Sequence, residues 1–275
     1  MIYNNDNINT IDLSRYKRFI AIGCSFTRYR WASWADLLAS EMPQAEYINV
    51  GRSGAGNTYI MTALHQLQHK LNLNSDDLVG IMWSSYCRED RKLKENWETP
   101  GNIYTQGTYN EQFVEKFADF DWYMLRDTAL ITTTMNSISN CEFDCVAMSG
   151  LNLEEQRWYA GFADHEASAD TELNSADLKV LTPSLLTFNN GEWPVHYTYI
   201  NSPHKPWGGD GSDFADYHPS APVYRQYLQH IGFPMTEYSE TLSNLSHDMM
   251  KQVQGDDVFC DPQWPWCDHY TGDLV

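Results

Sequence analysis

The chain has 275 residues, 42% of them hydrophobic and 14% aromatic, enough to bury a substantial core in one domain with insertions and too apolar for a disordered chain. Its 37 acidic residues outnumber 18 basic ones, and the net charge of -19 repels phosphate backbones and anionic membranes, so no nucleic-acid partner is expected. No run approaches the roughly 20 apolar residues of a membrane span, and the polar opening Met1-Ile2-Tyr3-Asn4-Asn5-Asp6 lacks the pattern of a secretory signal, so a soluble protein with no membrane contact is expected.

The first predicted strand covers about 18 to 24, where Phe19-Ile20-Ala21-Ile22 runs into the small-residue turn Gly23-Cys24-Ser25-Phe26-Thr27. An amphipathic segment with Trp31, Trp34, Leu37, Leu38 and Met42 follows and predicts a helix packed back on the sheet. A second strand at about 46 to 50 leads into the glycine-rich turn Gly51-Arg52-Ser53-Gly54-Ala55-Gly56-Asn57. A helix from about 57 to 72 follows, with Ile60, Leu64, Leu67 and Leu71 on one face. The third strand is Leu78-Val79-Gly80-Ile81-Met82-Trp83, and residues 86 to 108 read as an irregular loop. A long helical region, broken once, fills about 109 to 140, and a fourth strand lies near 143 to 148. Alternating strands and helices of this kind predict an α/β fold, a mostly parallel sheet with helices on both faces.

From about 151 to 212 the periodicity fades and Gly, Pro, Asn and Asp accumulate, the mark of an insertion that can form a lid or a partner-facing surface. Helical pattern returns at about 221 to 231 and about 235 to 253, and a Trp/Pro-rich tail occupies about 255 to 275. The six cysteines (Cys24, Cys87, Cys141, Cys145, Cys260, Cys267) form no Cys-x-x-Cys pair, so no metal or redox motif is indicated. His65 and His69 lie one helical turn apart with no carboxylate to complete a metal site, and read as a surface pair. The run Arg88-Glu89-Asp90-Arg91 reads as a solvated face, with salt-bridging over the site or orientation of a substrate as the alternative.

Three blocks converge on one chemistry. A hydroxyl nucleophile needs a base for its proton, donors for the oxyanion and a group that orients the base. Ser25 follows a strand and precedes a helix, so backbone amides and the helix dipole are expected to face it. Gly54 allows a second amide to approach closely. The segment Asp213-Phe214-Ala215-Asp216-Tyr217-His218-Pro219-Ser220 supplies a histidine with acidic neighbours ahead of a helix, with Ser220 placed to cap it.

This arrangement resembles the SGNH (GDSL-like) hydrolase family, in the subset whose first block reads Gly-Cys-Ser-Phe-Thr and whose last is a His-Pro-Ser before a helix. The resemblance covers about 18 to 84 and 213 to 231. It implies a flavodoxin-like three-layer sandwich of about five parallel strands and hydrolysis of esters or acyl groups. It makes Ser25 the nucleophile, His218 the general base and Gly54 an oxyanion donor. The chain departs from the family at two places. Where the third block presents an asparagine, this chain has Trp83-Ser84-Ser85-Tyr86, which leaves Ser85, or Ser84, as a hydroxyl donor. Ala215 stands three residues before His218, where the family places its aspartate, so Asp216, with Asp213 in reserve, is the expected acid.

The function expected on this basis is that of a serine esterase or deacetylase acting on an ester or O-acetyl group. Trp193, Trp207, Trp264 and Trp266 suggest a carbohydrate carrier. No cofactor is expected. A second reading is a non-catalytic SGNH-like binding or structural module, for example in a phage particle, since sequences of this subset come from phage and marine bacteria. The location is accordingly expected to be cytoplasmic or virion-associated. Acyl transfer to a sugar would use the same residues.

Overall fold

Alternating side chains along the central strands divide the core into two halves, one on each face of a parallel sheet. The computed structural model describes residues 1–94, 96–104, 109–151, 179–189, 197–199, 214–216 and 218–252, with the backbone alone for 197–199, 214–216 and 251–252. In chain order the strands are β1 (Ile2–Tyr3), β2 (Arg18–Ile22), β3 (Glu46–Asn49), β4 (Asp77–Trp83), β5 (Arg91–Leu93), β6 (Asn96–Glu98), β7 (Asp144–Ser149), β8 (Tyr197–Tyr199) and β9 (Phe214–Asp216). The helices are α1 (Trp34–Ser40), α2 (Asn57–Leu71), α3 (Glu111–Phe117), α4 (Phe120–Ile138), α5 (Leu185–Phe188), α6 (Ala221–His230) and α7 (Glu237–Gln252).

The main sheet is ordered β1-β7-β4-β2-β3, and all four of its pairings are parallel. Ile20, Ile22, Val79, Ile81, Cys145 and Ala147 point to one face and pack against Tyr59, Ile60, Leu64 and Leu67 of α2 and Ile131 and Met135 of α4. Phe19, Ala21, Leu78, Met82, Val146 and Met148 point to the other, against Trp34, Leu37 and Leu38 of α1 and Tyr224, Tyr227 and Leu228 of α6. Each large side chain so buried contributes about 1.5–3 kcal/mol, and the two layers close the expected three-layer α/β sandwich. The outer helix α7 lies against α1 and α6.

Helix starts follow local chemistry. Ser33 and Asp36 form a capping box at α1, while Asn110 and Asp119 accept the Phe113 and Trp122 amides at the starts of α3 and α4. The cap at Asp119 is what breaks the long helical region in two.

Three features depart from expectation. The fifth sheet position is taken by the two-residue β1, paired with β7 through Ile2↔Cys145 and Tyr3↔Val146, a strand too short to leave a sequence pattern. The segment expected to be an irregular loop at 86 to 108 holds the antiparallel hairpin β5–β6. The helix after the first strand begins only at Trp34, so Ser25 lies on a turn nine residues ahead of it and the dipole of α1 does not act at Ser25.

Candidate active site

The first block is a tight turn at the carboxyl end of β2, where the amides of Thr27 and Arg28 both donate to the Cys24 carbonyl, at 2.9 and 3.3 Å. It tolerates no side chain at residue 23: a Cβ there would stand 2.0 Å from Thr27 Oγ1 and 3.0 Å from the Met82 carbonyl. The far end of the turn is held just as closely. The Thr27 carbonyl accepts from Ser33 Oγ at 2.6 Å and from Asn49 Nδ2 at 3.0 Å, and Thr27 Oγ1 accepts from the Trp34 indole at 3.2 Å.

Ser25 rides on this turn, 8% exposed, with His218 Nε2 2.8 Å from its Oγ. With its proton on Nδ1, the imidazole accepts the serine hydroxyl at Nε2. His218 reaches the turn from the opposite end of the chain, between β9 and α6. Its ring stacks on Tyr29, with centroids 3.7 Å apart and planes 12° from parallel, and meets the edge of Phe26 at 5.3 Å. The next residue is also tied down, because the Trp31 indole donates to the Pro219 carbonyl at 2.7 Å. Ser220 occupies the N-cap position of α6, but its side chain makes no capping bond, contrary to expectation.

The second block runs beside the first. Val50 N donates to the Ala21 carbonyl at 2.9 Å and Arg52 N to the Gly23 carbonyl at 3.0 Å, extending the β2–β3 pairing into the glycine turn. Gly54 has φ +74°, and a Cβ on it would lie 2.0 Å from the Thr99 carbonyl, so both the backbone angle and the space demand glycine. Among the described residues, the amides of Ser25 and Gly54 donate to no protein acceptor.

The third block leaves β4 next to the first. Asn57 fixes its backbone from both sides, accepting from Ser84 N at 2.9 Å and donating to the Ser84 carbonyl at 3.2 Å. Ser85 Oγ accepts from Arg88 Nε at 2.9 Å, which leaves the serine its own proton to donate. The Ser84 hydroxyl is buried and makes no hydrogen bond among the described residues. Arg88 also donates from Nη1 to the Ala55 carbonyl at 2.8 Å, so one guanidinium joins the loop of Gly54 to that of Ser85.

The charge run is therefore not a solvated face, Arg91 excepted. Asp90 accepts the amides of Gly56 and Tyr59, each at 2.8 Å, and caps α2, whose own N-cap residue is a glycine without a side chain to do so. Burial pushes its carboxyl above the usual range. Glu89 accepts from the Tyr123 hydroxyl at 2.7 Å and lies 3.5 Å from Arg126. A further carboxylate, Asp36, sits behind the Ser25 turn, accepting from Ser33 N at 2.7 Å and from the Tyr47 hydroxyl at 3.0 Å. Burial lifts it to about 6.

Of the residues expected at the site, the structure brings Ser25 and His218 together, with Gly54 and Ser85 on neighbouring loops. Asp213 and the side chain of Asp216 lie outside the described residues, although the backbone of Asp216 ends β9, paired with Tyr197. The same holds for the tryptophans of the insertion and tail, and for Cys260 and Cys267. His65 and His69 are exposed on α2. Among the described residues no helix is long and apolar enough to cross a membrane.

The sequence carries no signal for the roles of Tyr29 and Trp31, since their partners are distant in sequence and Trp31 reads as part of a helix face. Arg88 stands out only as a member of the charge run, and its bonds to Ser85 and Ala55 come from the fold. Compared with known proteins, the chain matches no family model and no curated relative.

Proposed function

We propose that the protein is a serine hydrolase that cleaves an ester or O-acetyl group, with the SGNH-like resemblance of its three blocks as the starting point. The observation that carries this reading is the 2.8 Å contact between Ser25 Oγ and His218 Nε2 at the carboxyl edge of a parallel sheet, where open α/β sheets bind their ligands. A non-catalytic module has no need of a hydroxyl and an imidazole held at proton-transfer distance.

In this mechanism Ser25 Oγ attacks the acyl carbon while His218 Nε2 takes its proton. The amides of Ser25 and Gly54 receive the developing oxyanion, and the Ser85 hydroxyl, held by Arg88, is placed on the adjacent loop to assist. Collapse of the tetrahedral intermediate breaks the ester C–O bond, and His218 returns the proton to the departing alcohol. Water, deprotonated by His218, then attacks the acyl-serine; the acyl–Oγ bond breaks, His218 returns the proton to Ser25 Oγ, and the acid is released. No cofactor enters these steps.

The test is direct. A fluorophosphonate is expected to label Ser25, and Ser25→Ala is expected to lower p-nitrophenyl acetate hydrolysis by about 10³-fold or more. A wild-type protein that neither labels nor hydrolyses small esters or O-acetyl sugars would return the chain to the binding-module reading.

A further inference from the structure

A general base works only while its ring keeps one orientation, and hydrogen bonding to its second nitrogen is the usual means. His218 has another. The phenol of Tyr29 lies flat on the imidazole at 3.7 Å and 12°, Trp31 abuts Tyr29 edge-on at 4.7 Å and 80°, and the indole N–H of Trp31 holds the Pro219 carbonyl. The edge of Phe26 meets the imidazole as well. All three aromatic residues belong to the segment that carries Ser25, so the nucleophile and the support of its base are built from one short piece of chain.

We propose that Tyr29 is a positioning residue for His218: its ring, stacked on the imidazole, fixes the plane in which Nε2 meets the Ser25 hydroxyl. Turning the imidazole out of that plane drives its edge into the phenol. An aromatic face beside the ring also favours the imidazolium that forms when the serine proton is taken up. The effect on rate rests on the serine-hydrolase reading; the effect on ring orientation does not.

The experiment therefore has two arms on the full chain. In the first, the Cε1 proton of His218 is located by NMR. A stacked phenol is expected to displace it upfield in wild type and in Tyr29→Phe, and the displacement is lost in Tyr29→Leu. In the second, ester hydrolysis is measured. A misplacement of about 1 Å can cost about 10²-fold, so Tyr29→Leu is expected to lower kcat by roughly 10- to 100-fold with KM little changed, while Tyr29→Phe restores it. An undisplaced His218 signal in wild type overturns the proposal even where Tyr29→Leu does not fold. So does a Tyr29→Leu protein with wild-type kcat, or one in which Tyr29→Phe fails to rescue. If wild type is inert to fluorophosphonate and esters, the hydrolase reading falls, and the NMR arm alone decides the role of Tyr29.

Discussion

The Trp31 indole donates to the Pro219 carbonyl at 2.7 Å and so ties the segment that carries Ser25 to the residue that follows His218. Pro219 is buried, so Trp31→Phe leaves a carbonyl unpaired. The expected loss is about 1–3 kcal/mol of stability, together with a fall in kcat larger than any change in KM. Denaturant unfolding and ester kinetics on the same variant check both, and an unchanged kcat would show that this tie does not hold the base.

Gly23 is required by the space that Thr27 occupies. Gly23→Ala is expected to cost about 1–3 kcal/mol through overpacking. Thr27→Ala removes the nearer of the two clashing groups, so the double variant is expected to be more stable than Gly23→Ala alone, a coupling of about 0.5 kcal/mol or more. Strictly additive losses would contradict this account.

Asp36 makes a prediction about pH. Its carboxyl is lifted from 3.8 to about 6 by burial, so the folded protein binds this proton more tightly than the unfolded chain does. The stabilisation is fully present below pH about 4 and is lost as pH rises through about 6, a change of roughly 3 kcal/mol. Asp36→Asn cannot titrate, so the variant should gain on wild type between pH 4 and pH 7. Parallel stability curves across that window would refute the assignment.

Arg88 and Ser85 are expected to act as one unit. If the Ser85 hydroxyl meets the oxyanion, Ser85→Ala lowers kcat by about 10²-fold. Arg88→Ala removes the bond that orients that hydroxyl and should lower it similarly. The double variant should be little worse than the worse single one. Multiplied effects would mean that the two side chains serve separate purposes.

Much of this architecture was legible because it is periodic. Phe19 and Ala21 face one layer and Ile20 and Ile22 the other, and Ile60, Leu64 and Leu67 mark the buried side of α2. Ser25 and His218 were legible because each sits in a short, unusual motif at a turn. Arg91-Lys92-Leu93 is exposed throughout and Asn96-Trp97-Glu98 buries Trp97 alone, a pattern too short to mark a strand. Their hairpin is held by docking, through Arg52 donating to the Trp97 carbonyl and Thr99 Oγ1 donating to the Ser53 carbonyl at 2.8 Å. The charge run carries no local sign of burial for the same reason: Asp90 finds its partners in another element. The stack of Tyr29 on His218 joins opposite ends of the chain, and no local pattern encodes such a contact.

The bonds from Asp90 to Gly56 N and Tyr59 N span 34 and 31 residues of sequence, and they set an order of events. The Asn72 end of α2 finishes locally, in a left-handed cap at φ 49°, whereas the Gly56 end waits for β4 and its loop to dock. Contacts of that range form late because chain closure precedes them. Pulsed hydrogen exchange during refolding should find the Gly56 and Tyr59 amides protected after those near Leu67. The turn that holds Gly54 therefore takes its final shape only once the loop after β4 has docked on the start of α2.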